Sequence, residues 1–243
     1  MRGIFLLFAV AAYAIFFVTF LYLVGFVGNL PRLPVTVDRG PQGSVLAAVV
    51  VDLFLIALFG VQHSVMARQG FKRAWTRMVP EPLERSIYVL CASVVLIVLF
   101  AFWRPIPANI WTVTNPAGAA VLWVLFAVGW LLVLLSTFLI NHFELFGLQQ
   151  VYLHARGQSA AAPRFRQPLF YRFVRHPLYS GFLIAFWATP AMSGGHLLLA
   201  LGMTAYILIA IGYEERDLVG LFGRDYEDYR AKVGMLAPRW GRD

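Results

Sequence analysis

The stretch IFLLFAVAAYAIFFVTFLYLVGFVG, from Ile4 to Gly28, contains no charged residue. An apolar run of about 20 residues is long enough to cross the hydrocarbon core of a bilayer as a helix. This stretch is too long for the core of a signal peptide, and it lacks a small-residue cleavage site near its end. It therefore predicts a retained transmembrane span in an integral membrane protein.

The composition of the whole chain supports the same class. The 243 residues are 60% hydrophobic and only 13% charged, whereas a soluble domain is about half apolar and about a quarter charged. We predict an all-α polytopic membrane helix bundle of about six transmembrane segments, in which a short fifth segment forms a tight helical hairpin with the sixth. The segments after the first are Ser44–Ala67, Leu83–Trp103, Ala117–Asn141, Leu178–Met192 and His196–Tyr213.

The net charge of +8 follows the loops of this arrangement. If both termini are cytoplasmic, every lysine and arginine except Arg32, Arg39 and Arg104 falls on the cytoplasmic side. Positive charge on the inner side is the usual sign of membrane orientation. The basic residues therefore predict cytoplasmic amino and carboxyl termini and argue against a nucleic-acid partner.

The single cysteine, Cys91, excludes an internal disulfide and a multi-cysteine metal site, and we predict no metal.

Polar residues gather near the cytoplasmic ends of several segments. Ionisable groups within spans are costly and usually functional, so the grouping predicts a pocket rather than scattered anchors. A structural role is the alternative for each of them, such as a helix-end hydrogen bond or, for the deeper Asp52, a bond to a neighbouring helix. The residues concerned are His63, Asn141, His142, Glu144, Gln149, His176, Glu214 and Glu215.

The start of the fifth segment has the sharpest local pattern. Proline is favoured at the first helical position, so Pro177 places His176 at the N-cap. A helix start, strengthened by Arg175, suits an anion such as a carboxylate. Arg175 snorkelling to lipid headgroups is the structural alternative. Tyr179 and Gly181 lie within about the first turn, where a glycine allows close approach of a ligand or a neighbouring helix.

Glu214 and Glu215 stand at the other end of the hairpin. Acidic residues are unfavourable at the end of a helix, because the dipole there is negative. One of them is expected to pair with Arg216 or Arg175. The other is a candidate to accept hydrogen bonds from hydroxyl groups such as those of a ribose.

Two blocks of sequence carry a family resemblance. "RHPLYSGF", a two-helix hairpin and "EERDLVGLFGRDYEDYRAKV" resemble the carboxyl-terminal core of the isoprenylcysteine carboxyl methyltransferase superfamily, whose members are multi-span membrane enzymes. The match includes Phe222, Gly223, Tyr226 and Tyr229 of the tail pattern. "FGVQHSVMAR" and "NHFELFGLQQVY" resemble the bacterial membrane branch that includes the methanethiol S-methyltransferases.

The resemblance implies a function and a division of the chain. It implies S-adenosyl-L-methionine as methyl donor and a small volatile thiol as substrate, either methanethiol giving dimethyl sulfide or hydrogen sulfide giving methanethiol. It implies a bacterial inner membrane location with the site facing the cytoplasm. Within one membrane domain over 1–243, we expect a four-helix part over 1–142 and a cofactor-binding part over 143–243. The implied cofactor residues are Arg175, His176, Tyr179, Gly181, Glu214 and Glu215.

The chemistry needs a thiolate, because the thiolate is the nucleophile and a simple alkyl thiol is mostly protonated at neutral pH. We predict His142 as the base, His63 as the second candidate and Glu144 as a group that orients either histidine. Neither a protein nucleophile nor a metal is required.

The alternatives are a methyltransferase for a lipid or another small thiol or amine, a small-solute transporter, and a non-enzymatic membrane regulator. The sequence leaves the oligomeric state open.

Overall fold

The structure, a computed structural model, describes residues 2–159 and 165–239 of the chain. Nearly all regular structure in these ranges is helical, with short 3-10 turns at Glu81–Leu83 and Leu169–Arg172. Two short strands, β1 (Asn109–Thr112) and β2 (Ala191–Ser193), pair with each other. The helices are α1 (Arg2–Val27), α2 (Val45–Ala67), α3 (Gln69–Trp75), α4 (Glu84–Phe102), α5 (Pro116–Ile140), α6 (His142–Leu145), α7 (Leu148–Arg156), α8 (Pro177–Trp187), α9 (Gly194–Phe222) and α10 (Arg224–Lys232).

Within the described residues, five helical segments are long and apolar enough to cross a membrane: α1, α2, α5, α9 and the segment Glu81–Phe102. The shorter apolar helix α8 has 11 residues and rises only about 16 Å. Large apolar side chains such as Leu7, Leu46 and Val124 are exposed on these helices, as expected for surfaces that face lipid. The predicted all-α polytopic membrane fold, with a short fifth segment, is confirmed.

Local sequence explains where two of the spans begin. The side chain of Ser44 accepts a hydrogen bond from the Ala47 N–H and caps α2. The side chain of Asn115 accepts from the N–H groups of Ala117 and Gly118 and caps α5, with Pro116 at the first position. Such caps satisfy backbone donors that have no partner inside the helix.

The described residues form two compact units. The first comprises those within Met1–Ile110, His142–Ala161 and Met192–Leu199, and the second those within Trp111–Asn141, Ala162–Ala191 and Ala200–Asp243. In the first unit, α4 packs against both α1 and α2, and α7 packs against α1. Trp103 is fully buried there, and its indole N–H donates to the Val37 carbonyl at 3.0 Å.

The second unit is organised around the crossing of α5 and α8. Gly129 and Gly181 let the two backbones meet. A Cβ added at Gly181 would lie 2.7 Å from the Gly129 carbonyl oxygen, and one added at Gly129 would lie 2.7 Å from the Ala185 nitrogen. Small residues at such crossings are typical of helix packing in membranes.

The spacing of Leu218, Leu221 and Phe222 predicts that the last long helix leaves the membrane and continues to a break near Gly223, followed by a short second helix. Glu214 and Glu215 close the hydrophobic segment, but α9 continues for two further turns to Phe222. The unfavourable dipole therefore does not act on them, because the dipole effect is confined to the last turn. The predicted break is confirmed, since Gly223 takes a φ of 56° before α10 begins.

Candidate functional site

The carboxylate of Glu215 on α9 contacts two side chains at the start of α8. Its Oε1 atom accepts from Arg175 Nε at 2.7 Å and lies 3.1 Å from His176 Nε2. The His176 side chain is only 4% exposed, and the Arg175 and Glu215 side chains are 10% and 12% exposed. The other oxygen, Oε2, lies 3.9 Å from Arg230 Nη1 on α10. We call these four residues the Glu215 cluster.

The predicted position of His176 is confirmed. It is the N-cap of α8 and Pro177 occupies the first helical position. The His176 side chain makes no capping bond to the helix, since its Nε2 faces Glu215 instead. The Arg175 side chain is only 10% exposed and bonds Glu215 and the carbonyls of Arg230 and Val233, which favours a role within the protein over the lipid-headgroup alternative.

A short segment near the carboxyl terminus, residues 233–236, lies along the start of α8, and we call it the strap. The N–H groups of Arg175 and His176 donate to the carbonyls of Gly234 and Met235 at 2.8 and 3.1 Å. Ser180 Oγ donates to the Leu236 carbonyl at 2.7 Å. Arg175 Nη1 also donates to the Val233 carbonyl. The strap therefore occupies backbone donors just before the helix, a feature that the sequence did not indicate.

Two tyrosines on α10 pack beside the Glu215 cluster. Tyr229 donates its hydroxyl to the Tyr171 carbonyl at 2.5 Å, and burial raises its pKa to about 12. Tyr226 is 2% exposed, yet its hydroxyl has no hydrogen-bond partner among the described residues. Burial, followed by the nearby Glu215 carboxylate, raises the pKa of Tyr226 well above its ordinary value. Both phenols are therefore neutral at physiological pH.

The remaining predicted cofactor residues have different surroundings. Tyr179 is half-buried, and its ring centroid lies 5.7 Å from that of His176. Gly181 faces the backbone of α5, so the structure favours the neighbouring-helix role that the sequence left open beside the ligand role. Glu214 lies close enough to Tyr171 and Tyr226 to raise the pKa of both phenols, after the larger effect of burial.

The predicted base, His142, lies in the first unit at the start of α6 and is 6% exposed. Its Nε2 atom is 2.8 Å from the hydroxyl of Tyr13 on α1. The rings of Phe146 and Tyr13 meet it edge-on, with centroids 4.8 and 5.7 Å away. Burial lowers the pKa of His142, so the imidazole is neutral at pH 7 and able to accept a proton.

The second candidate base, His63, belongs to the same unit. Its Nε2 atom is 2.8 Å from the hydroxyl of Tyr88 on α4, and Arg85 lies over the Tyr88 ring at 5.0 Å. Glu144, predicted to orient a histidine, accepts a bond from Gln150 through its backbone carbonyl. Its orienting role stays a prediction. The catalytic candidates thus lie in the first unit and the cofactor candidates in the second.

Two residues that were not predicted, Tyr13 and Tyr88, contact the candidate bases His142 and His63 through their hydroxyl groups. A buried tyrosine hydroxyl usually finds a partner, so a tyrosine inside an apolar span was the available signal. Asp52 on α2 is fully buried and accepts from the backbone N–H of Arg104 at 3.0 Å, so its bond reaches the loop just after α4 and not a residue within a neighbouring helix. The described residues contain no group of three or more potential metal ligands.

The fold and the Glu215 cluster define the class of protein. It is a polytopic membrane protein with a largely buried polar cluster where the short apolar helix α8 begins. The chain belongs to the NnrU family, because the family model described as "NnrU protein" matches residues 53–234.

Curated relatives extend this similarity, the first two below over nearly the full length and the third over about seven-tenths of each chain. A methanethiol S-methyltransferase of Mycobacterium tuberculosis is 54% identical, covering 98% of this chain and 97% of its own. One from Crocosphaera subtropica is 48% identical, covering 99% and 94%. Nurim of Rattus norvegicus is 35% identical, covering 72% and 70%. No solved structure matches the chain significantly.

Proposed function

We propose that this chain is an S-adenosyl-L-methionine-dependent S-methyltransferase that converts methanethiol to dimethyl sulfide. The observation that carries the proposal is the Glu215 cluster, found in a chain whose nearly full-length relatives are named methanethiol S-methyltransferases. We further propose that the reaction takes place at the cytoplasmic side of a bacterial inner membrane. The loop charges support this orientation, since they favour cytoplasmic termini.

The residues of the second unit fit the methyl donor. S-adenosylmethionine supplies an electrophilic methyl group on a sulfonium, attached to a nucleoside and an amino acid. Glu215 presents a carboxylate whose Oε2 lies 3.9 Å from Arg230 Nη1, beyond hydrogen-bond distance, so it has capacity to accept hydrogen bonds from hydroxyl groups. We assign Glu215 and Glu214 to the nucleoside, and Tyr179 to the same ligand from the first turn of α8.

Arg175, His176 and Gly181 act mainly by holding this arrangement. Arg175 ties Glu215 to the strap through its guanidinium. His176 fixes the same carboxylate from the helix start, and the first turn of α8 is the proposed site for the ligand's carboxylate. Gly181 allows α5 to approach, so that α8 keeps its place.

The substrate half of the reaction requires loss of the thiol proton. We propose that neutral His142 takes this proton and becomes an imidazolium, which leaves a thiolate as the nucleophile. A bound S-adenosylmethionine would supply the methyl group: the thiolate sulfur would bond to the methyl carbon, and the bond to the donor sulfur would break with its electron pair returning to that sulfur. The charges of the thiolate and of the sulfonium would both be lost in this transfer. The Tyr13 hydroxyl holds the His142 ring, and the surrounding phenylalanines keep water away. His63 is the second candidate, and Glu144 remains a proposed orienting group.

The apolar surroundings suit a small volatile thiol. Such a substrate needs no charged recognition site, and it can arrive through the lipid. Hydrogen sulfide is the smaller substrate that the same chemistry would accept. Because charge disappears toward the transition state, a water-poor environment favours the reaction.

One assay tests the proposal directly. Purified protein in detergent is mixed with methyl-labelled donor and a panel of acceptors: hydrogen sulfide, methanethiol, longer thiols, a small amine and a phospholipid. We expect labelled dimethyl sulfide in the headspace. Label in the lipid or amine fraction alone would favour the alternative methyltransferases. Failure of S-adenosylhomocysteine to bind by calorimetry at high micromolar concentration would remove the proposal and leave a transporter or regulator.

A further inference from the structure

The hydroxyl of Tyr226 is the one polar group beside the Glu215 cluster, in the part of the chain that the structure describes, that is buried and also lacks a hydrogen-bond partner. Tyr226 lies one turn before Arg230 on α10, so the two side chains share a helix face. Arg230 on that face reaches Glu215 Oε2. The face that carries Tyr226 is thus the one turned toward the cluster.

Leaving a buried hydroxyl unpaired is unfavourable, because the group loses its bonds to water and gains none. Tyr229, one turn along the same helix, shows the normal outcome, since its hydroxyl bonds the Tyr171 carbonyl. The ring of Tyr226 is well packed, 5.8 Å from Tyr229 and 5.9 Å from Phe165 between centroids. The ring is therefore fixed, and within residues 2–159 and 165–239 its hydroxyl has no hydrogen-bond partner.

The neighbouring carboxylate identifies the complementary ligand group. Glu215 Oε2 can only accept hydrogen bonds, whereas a neutral phenol donates one readily. Burial, and after it the nearby Glu215 carboxylate, raises the pKa of Tyr226. The phenol therefore stays protonated and can donate a hydrogen bond. A ligand hydroxyl satisfies both groups at once, because it donates its hydrogen to Glu215 and accepts from Tyr226.

We propose that Tyr226 is a further nucleoside-binding residue, whose hydroxyl donates to a ribose hydroxyl that in turn donates to Glu215. The inference rests on the proposed function, since it takes the ribose to be that of the methyl donor. It gives a role to the first tyrosine of the tail pattern and places α10 in the wall of the site. Tyr229 has a separate, structural role.

The test compares two matched variants, Tyr226→Phe and Tyr229→Phe, each lacking one hydroxyl. The dissociation constant for S-adenosylhomocysteine is measured by calorimetry in detergent, and the melting temperature without ligand is recorded. Tyr226→Phe should weaken binding about three- to tenfold, the range for one hydrogen bond, with the melting temperature unchanged or raised. Tyr229→Phe should lower the melting temperature, because it removes a bond that exists without ligand.

Ribose-modified ligands localise the contact. The dissociation constants of 2′-deoxy- and 3′-deoxy-S-adenosylhomocysteine are measured in the same way. For the analogue that lacks the contacted hydroxyl, the parent and Tyr226→Phe should have the same dissociation constant. A difference that persists with both analogues would overturn the ribose contact. Equal affinity of the parent and Tyr226→Phe for the unmodified ligand would overturn the role of Tyr226 while the proposed function stands. Absence of binding by the parent would remove both.

Discussion

Arg175, two residues before α8, and Glu215, on α9, are joined by a 2.7 Å hydrogen bond between side chains that are only 10% and 12% exposed. The same glutamate oxygen lies 3.1 Å from His176. One carboxylate thus contacts both of the side chains, Arg175 and His176, that the sequence motif had assigned to a ligand. The consequence is that Glu215 serves stability and binding at once.

Replacement of Glu215 by glutamine should therefore have two effects. The variant keeps the size of the side chain but removes the charge that compensates Arg175. Hydrogen bonds to charged groups contribute about 1.5–3 kcal/mol, so we expect a lower melting temperature as well as weaker binding of S-adenosylhomocysteine. Glu214→Gln is the matched control, and it should leave the melting temperature nearly unchanged. Equal melting temperatures for the parent and Glu215→Gln would contradict the structural role.

The His142–Tyr13 pair leads to a kinetic prediction. Replacing His142 with glutamine should lower kcat by about 10²–10⁴-fold, the usual contribution of a general base, and should change the affinity for S-adenosylhomocysteine little. Tyr13→Phe should lower kcat less, because it only frees the ring. His154→Gln on α7 is the control histidine. A His142→Gln variant with the pH–rate profile of the parent would show that another group takes the proton.

The same histidine predicts a pH dependence of stability. Because burial lowers the pKa of His142 in the folded protein, the unfolded chain binds its proton more readily. The stabilisation is present above the ordinary imidazole pKa of about 6.5 and is lost as the pH falls below that value. Between pH 7.5 and 5.5 the melting temperature of the parent should fall further than that of His142→Gln. Parallel curves for the two proteins would disprove the buried neutral histidine.

The α5–α8 crossing predicts a large effect from a single methyl group. An alanine at Gly181 would bring its Cβ within 2.7 Å of the Gly129 carbonyl oxygen, and overpacking of this kind costs about 1–3 kcal/mol. Gly220→Ala on α9 is the control, because nothing lies within 4 Å of the added carbon. Alanine favours a helix over glycine by about 1 kcal/mol, so that control should melt at the same or a higher temperature. A neutral Gly181→Ala variant would rule out the close approach.

The proposed orientation can be tested with single cysteines. In a Cys91→Ser background, Gln158→Cys should react with a membrane-impermeant thiol reagent only after cells are opened. Gln42→Cys, on the opposite side in the predicted topology, should react in intact cells. Both glutamines are exposed, so accessibility does not favour either. The reverse labelling pattern would place the termini outside.

Much of the fold was determined by the sequence alone. Uncharged runs such as Ile4–Gly28 must be helical in a bilayer, because no other open structure satisfies the backbone there. Pro177 and Gly223 marked a helix start and a break through their own backbone preferences, and both are found. The helical spacing of Leu218, Leu221 and Phe222 also indicated that the last long helix continues beyond the hydrophobic run that ends at Tyr213, and α9 does end at Phe222.

The candidate site was determined only in part. The sequence motif indicated Arg175, His176 and Glu215 as site residues. Only the tertiary structure shows that Arg175 and His176 both contact the Glu215 carboxylate. The strap over the start of α8, the Tyr13 partner of His142 and the unpaired hydroxyl of Tyr226 were decided by packing. Hydropathy and helix preferences are local properties of the chain and can be followed along the sequence. Hydrogen bonds between residues 40 or 129 positions apart depend on which helices pack together, and only the folded structure establishes that.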